Sequence, residues 1–132
     1  MNIDHYNGFC ASLPHTTYVV QWGGAHVWKV GGKVFAIAGW PDGTELAVTF
    51  KCSPMSFDLL KAQAGIRPAP YLASRGMLWL QRTGSENLDD AGLEAYLRES
   101  HRLASLNLTK MKQRELGLNG QADAGGRSRA AR

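Results

Sequence analysis

Hydrophobic runs of strand length recur through residues 26–51 and are separated by two turn signals, and this pattern predicts three antiparallel β-strands. Gly31 and Gly32 occupy both central positions of a two-residue turn, where a primed hairpin turn needs positive φ twice. The turn fixes the register of the first two strands, because pairing is counted outward from it. The predicted pairs are Val30 with Lys33, Lys29 with Val34, Trp28 with Phe35, Val27 with Ala36, and His26 with Ile37.

A second two-residue turn is predicted at Asp42–Gly43. It pairs Ala38 with Ala47, Ile37 with Val48, Ala36 with Thr49, and Phe35 with Phe50. Because side chains alternate between the two faces of a strand, both turns assign the same large residues to one face. This predicted core face holds Trp28, Val30, Phe35, Ile37, Leu46, Val48 and Phe50. The predicted opposite face is smaller and partly basic, with Val27, Lys29, Val34, Ala36, Ala47, Thr49 and Lys51.

The rest of the chain carries helical and extended patterns on either side of this sheet. Apolar residues at steps of three and four predict helices, and β-branched or aromatic runs predict strands. Helices are predicted at Asn2–Leu13, from Ser53–Pro54 to Gly65, and from Asp89 to Ala104. Strands are predicted at Thr16–Trp22 and Met77–Arg82, and a proline-containing loop at Ile66–Gly76. These patterns together indicate a sheet-and-helix domain.

Length and charge limit the functional classes further. The 132 residues fit a single domain at residues 1–106, followed by a basic, partly flexible extension at residues 107–132. Residues 26–82 hold seven basic and three acidic side chains, which allows an anionic partner on the sheet without requiring one. No stretch approaches the roughly 18–20 apolar residues of a membrane span, and no signal-peptide pattern is present, so we expect a cytoplasmic protein.

No sequence pattern for catalysis or cofactor binding is recognisable. The glycine pairs lie between strands, whereas a phosphate loop leads from a strand into a helix. Cys10 and Cys52 fall on separate predicted elements without Cys-x-x-Cys spacing, which favours buried small side chains over a redox pair or a zinc site. We therefore expect a protein that is not an enzyme and that uses no cofactor and no metal.

Basic residues of the sheet are the stronger functional signal. Lys29 and Lys51 share the predicted non-core face, and Arg82 is expected to extend this face from the last strand. Trp40 lies at a predicted hairpin tip, where an indole ring stacks on a base or enters a groove. Such cations neutralise phosphates, or they keep an exposed face soluble, and both interpretations remain open. The candidate binding residues are Lys29, Lys33, Trp40, Lys51, Arg67, Arg75 and Arg82.

Three short stretches resemble the MmcQ/YjbR family in order and spacing. They are Gln21-Trp22-Gly23, then Val27-Trp28-Lys29-Val30-Gly31-Gly32-Lys33-Val34-Phe35, then Val48-Thr49-Phe50-Lys51-Cys52-Ser53-Pro54. The resemblance extends to about Leu106. It implies an α+β fold, with N-terminal, middle and C-terminal helices on one face of an antiparallel sheet, as in the frataxin-like (CyaY-like) two-layer sandwich.

The resemblance also implies a function. It suggests a non-catalytic DNA-binding protein that contacts phosphates through paired wing-like hairpins and the sheet face. Arg127, Arg129 and Arg132 of the tail would add nonspecific attraction. The alternative is a module with a frataxin-like fold that binds a protein or a small anionic ligand and has no nucleic-acid role.

Overall fold

A computed structural model describes residues 1–39, 45–72 and 76–120 of the chain. These residues form four helices, which are α1 (Ile3–Ser12), α2 (Pro54–Leu60), α3 (Asp90–Ser105) and α4 (Lys110–Leu116). They also form six strands, which are β1 (Thr16–Gln21), β2 (Ala25–Val30), β3 (Lys33–Ala38), β4 (Val48–Lys51), β5 (Ile66–Pro68) and β6 (Trp79–Arg82). None of the helices in this described part is long and apolar enough to cross a membrane.

Each helix begins at a polar side chain that accepts a hydrogen bond from a backbone N–H three residues later. The N-caps are Asn2, Ser53, Asp89 and Thr109, with donor–acceptor distances of 2.8–3.1 Å. These bonds satisfy N–H groups that have no partner inside the helix. The predicted helix starts at Ser53 and Asp89 are confirmed, and Pro54 occupies the first helical turn, where its missing N–H costs nothing.

The six strands form one antiparallel sheet in the order β1-β2-β3-β4-β6-β5, which confirms the predicted α+β class. Strand β5 replaces the start of the predicted loop at residues 66–76. It is short and lies at the sheet edge, where Pro68 needs no ladder hydrogen bond on its outer side. The frataxin-like likeness stays a prediction.

The predicted register is right near the first turn and wrong beyond it. Gly31 and Gly32 have φ of +56° and +90°, as the two-residue turn requires. The register then shifts between Lys29 and Trp28, so that Trp28 lies opposite Ala36 rather than Phe35. One extra residue in β3 makes a β-bulge at Phe35, and the pairing with β4 moves by one residue as well, with Ala36 opposite Phe50.

A serine of α3 holds this bulge. The Ser100 hydroxyl donates a hydrogen bond to the Phe35 carbonyl at 2.6 Å and accepts one from the Lys51 amide at 2.8 Å. Ser100 is fully buried. Its single hydroxyl therefore satisfies one group on each strand at the place where the bulge interrupts the ladder.

The bulge divides the large residues between the faces differently from the prediction. Phe35 and Ala36 both join the main core, in which α1 and α3 pack on the sheet, and we call this side the helix face. Ile37 lies instead on the opposite side, in a second cluster with Val27 and Trp79. Residues 69–72 of the β5–β6 connection pack on this second cluster, and we call this side the loop face.

The C-terminal segment continues the core beyond Leu106. Leu108, Leu116 and Leu118 pack against the main cluster, and Gln113 of α4 is buried. A Cβ atom at Gly31 would lie 2.8 Å from Leu108 Cδ1, so this segment also covers the β2–β3 turn. The packed chain thus extends past the predicted boundary at residue 106, to at least Leu118.

Candidate functional site

Three of the predicted basic residues lie on the loop face. Lys29 is opposite Val34 across β2 and β3, and Lys51 is opposite Trp79 across β4 and β6. The two lysines are two strands apart, so their Cα atoms are separated by about 10 Å. Arg67 is on β5, further along the same face. All three are half-buried, and we call this set the cationic row.

Two other predicted basic residues point elsewhere. Lys33 lies opposite Val30 at the start of β3, on the helix face, and is exposed. Arg82 was expected on the non-core face, but Trp79 and Gln81 take that side of β6. The pleat turns Arg82 to the helix face, where only 2% of its surface is exposed. The expectation that Arg82 extends the basic face is therefore wrong.

The Arg82 side chain has a structural partner at the N-terminus of α3. Its Nη2 lies 3.1 Å from Asp90 Oδ1, and its Nε donates to the Gly84 carbonyl at 3.3 Å. The positive charges of the Met1 amino group, 3.0 Å from Asp90 Oδ1, and of the Arg82 guanidinium hold the pKa of Asp90 below its ordinary value. A negative charge in the first turn of α3 also suits the helix dipole.

The remaining candidates cannot be placed on the sheet. Trp40 and Arg75 lie outside the described residues, as does the Asp42–Gly43 turn. The same holds for the arginines of the tail, Arg127, Arg129 and Arg132.

Arg67 is held in place by a chain of hydrogen bonds across three strands. Its Nε donates to Gln81 Oε1 at 2.8 Å, and Gln81 Nε2 donates to Thr49 Oγ1 at 3.3 Å. Gln81 and Thr49 are fully buried. This arrangement fixes the Arg67 side chain, which therefore has little conformational entropy left to lose.

An apolar cavity of about 370 Å³ lies on the loop face beside the cationic row. Strand residues form one side, the β5–β6 connection forms another, and Trp22 of the β1–β2 turn contributes from a third direction. The lining residues are Trp22, Val34, Ile37, Tyr71, Leu72, Met77 and Trp79. Sequence reasoning missed this cavity, because four separate elements supply its lining.

Trp79 connects the cavity to the cationic row. It is 5% exposed, and its indole Nε1–H is buried without a hydrogen-bond partner in the described part of the chain. Lys51 Nζ lies 5.8 Å from the centre of the Trp79 ring, within the range of a cation–π contact. The cavity therefore offers an apolar, aromatic lining with a positive charge beside one of its rings.

Both cysteines and His101 are buried as structural side chains. Burial raises the pKa of Cys10 to about 12 and that of Cys52 to about 11, so both thiols are protonated at neutral pH. Burial also lowers the pKa of His101, whose Nε2 lies 2.8 Å from the Pro14 carbonyl oxygen. Residues 1–39, 45–72 and 76–120 contain no group of three or more potential metal ligands.

Comparisons with known proteins agree on the family and the fold. The YjbR family model matches residues 11–103. The crystal structure of Deinococcus radiodurans protein DR2400, with its DUF419 domain of the same family, is similar with a TM-score of 0.76. The two chains are 24% identical, and the match covers 96% of each. No curated protein matches the chain.

Proposed function

Because the chain belongs to the YjbR family, we propose that it binds DNA without catalysis, through the cationic row on the loop face of its sheet. Lys29, Lys51 and Arg67 contact phosphates in this proposal. In this proposal the tip of the β2–β3 hairpin contributes little to DNA binding, because Leu108 packs against Gly31 and covers the turn.

The distribution of charge over the sheet carries the proposal. The six strands contain five cationic residues and no Asp or Glu. A lysine that only keeps a surface soluble is usually mixed with carboxylates, whereas a surface for a polyanion excludes them. Three of these five, Lys29, Lys51 and Arg67, lie on the loop face. Acidic side chains occur in the helices instead, and α3 alone carries Asp90, Glu94 and Glu99.

The cationic row is also partly pre-organised. Gln81 fixes the Arg67 stem, and the Trp79 ring lies next to the Lys51 ammonium group. Half-buried stems leave less side-chain entropy to lose on binding than fully exposed lysines do. Phosphate contacts at these positions thus have a lower entropic cost than the same contacts on a free surface.

Salt dependence gives the expected size of the effect. Three phosphate contacts on duplex DNA predict a slope of about −2.7 for log affinity against log salt. Affinity is then expected to fall about 40-fold between 50 and 200 mM salt. This slope is measured by fluorescence anisotropy with a labelled 20-mer, as duplex and as single strand.

The decisive variant reverses two charges of the row, as Lys29→Glu with Lys51→Glu. A matched control makes the same charge change on α4, with Lys110→Glu and Arg114→Glu, both of which are exposed. We expect the row variant to lose at least about 10-fold in affinity and about 1.8 units of salt slope, while the control keeps the wild-type slope. Equal losses in both variants, or no binding of any DNA at 20 mM salt, would refute the proposal.

A further inference from the structure

We infer that β1 is the contact strand of a homodimer, in which two copies of this chain pair their β1 strands antiparallel and form one continuous sheet. The inference concerns the free protein and does not depend on the proposed function. It rests on the two edges of the sheet, which differ in how they are protected from pairing.

An exposed strand edge presents a row of N–H and C=O groups, which proteins usually shield with a charge, a proline or a short strand. The β5 edge has all three, because β5 is three residues long and contains Arg67 and Pro68. At the other edge, β1 has six residues with no charge, no proline and no register shift against β2. Its sequence, Thr-Thr-Tyr-Val-Val-Gln, is mostly β-branched or aromatic. The β1 edge is therefore open to a further strand.

The backbone groups on the outer side of β1 belong to alternate residues. The Gly31 N–H donates to the His15 carbonyl at 3.4 Å, and the same register continues along the whole of β1. Bonded and non-bonded pairs alternate in an antiparallel ladder, so every second residue from His15 onward bonds to β2. The residues between them, Thr16, Tyr18 and Val20, direct their N–H and C=O groups outward. In the part of the chain that the structure describes, β1 pairs with β2 alone.

Two side chains of β1 are left partly uncovered by the helix layer. Tyr18 lies opposite Trp28 on the helix face, and Val20 follows on the same face by alternation. Tyr18 is 43% exposed and Val20 is 50% exposed, although both are large apolar residues. A strand added beside β1 would cover their outer sides, so side chains and backbone favour the same contact.

The chemistry of β1 fits a second β1. A matching strand needs apolar side chains on the helix face and no like charges opposite its partner, and β1 has both properties itself. The chain carries a net charge of +4, yet pairing at β1 places no two charged residues of the contact strands together. A two-fold axis closes the assembly at two copies, and the protected β5 edge prevents growth into a fibre.

Symmetry restricts the register of this pairing. Opposite residues of antiparallel strands share a face, so a two-fold axis that keeps both helix faces on one side pairs one residue with its own copy. In the register centred on Tyr18, the two Tyr18 residues meet, and Thr16 meets Val20 at both ends. All outward groups are then used, in a ladder of about six hydrogen bonds. Both loop faces, with their cationic rows, lie on the same side of the resulting sheet.

The small contact makes the dimer weak. A strand of six residues is about 20 Å long, and pairing along it buries less than the roughly 1,200 Å² of a standard interface. We therefore expect a reversible dimer that forms only in concentrated solution.

Sedimentation equilibrium of the full chain without DNA tests the dimer. Between about 10 µM and about 1 mM, the weight-average mass is expected to rise from 14.4 kDa toward twice this value. Val20→Pro removes an outward N–H from each copy and is expected to weaken the dimer about 10-fold or more. The matched control, Val20→Thr, keeps this N–H and the β-branched shape and is expected to dimerise like the wild type. A wild type that stays monomeric, or equal dimer affinities of the two variants, overturns the inference.

Disulfide cross-linking tests the register and does not depend on the proline variant. Cys10 and Cys52 are buried, so a cysteine placed on β1 is the accessible thiol. In Tyr18→Cys the two Cα atoms of the dimer are about 5.5 Å apart, which suits a disulfide. In the control Val20→Cys the two thiols are four positions apart along the strands, about 13 Å, which is too far. We expect oxidised glutathione to link Tyr18→Cys at least about 10-fold faster than Val20→Cys; equal rates overturn the inference.

Discussion

Replacement of Ser100 by alanine tests the way in which α3 holds the bulge in the sheet. In Ser100→Ala the Phe35 carbonyl and the Lys51 amide both lose a hydrogen bond in a fully buried place. Each buried polar group left without a partner costs about 1–3 kcal/mol. Alanine returns up to about 0.5 kcal/mol, because it is the better helix former. The expected loss in the free energy of unfolding is therefore about 1.5–6 kcal/mol.

Urea unfolding followed by tryptophan fluorescence measures this loss. With an m-value of about 2 kcal/mol/M, the midpoint is expected to fall by about 0.8–3 M without a change in m. Ser12→Ala is the matched control: the Ser12 hydroxyl also donates to a carbonyl, that of Phe9 at 2.6 Å, but it is exposed and water replaces it. The control is expected to stay within about 0.5 kcal/mol of the wild type.

Hydrogen exchange locates the effect at the bulge. In Ser100→Ala the Lys51 amide is expected to lose more protection than the fall in global stability explains, because its hydrogen-bond acceptor is gone. If Ser100→Ala is as stable as the wild type and the Lys51 amide keeps its protection, the bulge does not depend on the serine.

Three further predictions concern other parts of the fold. Asp90→Asn leaves the buried Arg82 without its carboxylate and is expected to cost about 1–2 kcal/mol at pH 7 in urea unfolding, since Asp90 is partly exposed. Because the pKa of Asp90 is lowered in the fold, its contribution is complete above the ordinary value of 3.8 and is lost as the pH falls through the folded value, so wild type and variant are expected to converge in acid. Gly31→Ala is expected to lower the stability by at least about 1 kcal/mol, because φ is +56° and the new Cβ would approach Leu108 Cδ1 to 2.8 Å; wild-type stability would contradict this packing. Burial raises the pKa of Cys52 to about 11, so a thiol reagent at pH 8 is expected to label it only after unfolding, and rapid labelling of the folded protein would exclude a buried thiol.

Local chemistry made much of the fold predictable from the sequence. The Gly31–Gly32 turn and the helix starts at Ser53 and Asp89 depend on one or two residues with specific backbone requirements, and all are confirmed. Strand β5 was missed because a three-residue strand that ends in Pro68 is indistinguishable from a loop by pattern alone.

The bulge shows why the register could not be predicted in full. Val34, Phe35, Ala36 and Ile37 are all apolar, so no polar residue marks which of them faces the core. The residue that decides the question is Ser100, which is 65 positions away from Phe35. Pairing rules that use only neighbouring residues do not contain this information.

The candidate site was predictable only in part, for the same reason. Strand alternation placed Lys29 and Lys51 correctly on one face, because the bulge lies on β3 and does not change the alternation of side chains along β2 and β4. Arg82 was misplaced because its partner Asp90 follows a connection whose path is not apparent in the sequence. The cavity and the Trp79 donor require the packing of the β5–β6 connection on the sheet, which depends on tertiary structure.

The packing of the C-terminal segment affects how a minimal fragment of this protein is to be designed. The family match ends at residue 103, yet Leu118 is 7% exposed and Leu108 and Leu116 rest on the main cluster. Burial of a leucine side chain is worth about 1.5–3 kcal/mol, so removal of all three forfeits several kcal/mol of a total that is typically 5–15 kcal/mol. A fragment that ends at residue 103 would expose an apolar surface beside the Gly31 turn and is expected to aggregate. A fragment that ends at residue 120 keeps the three leucines that cover this surface.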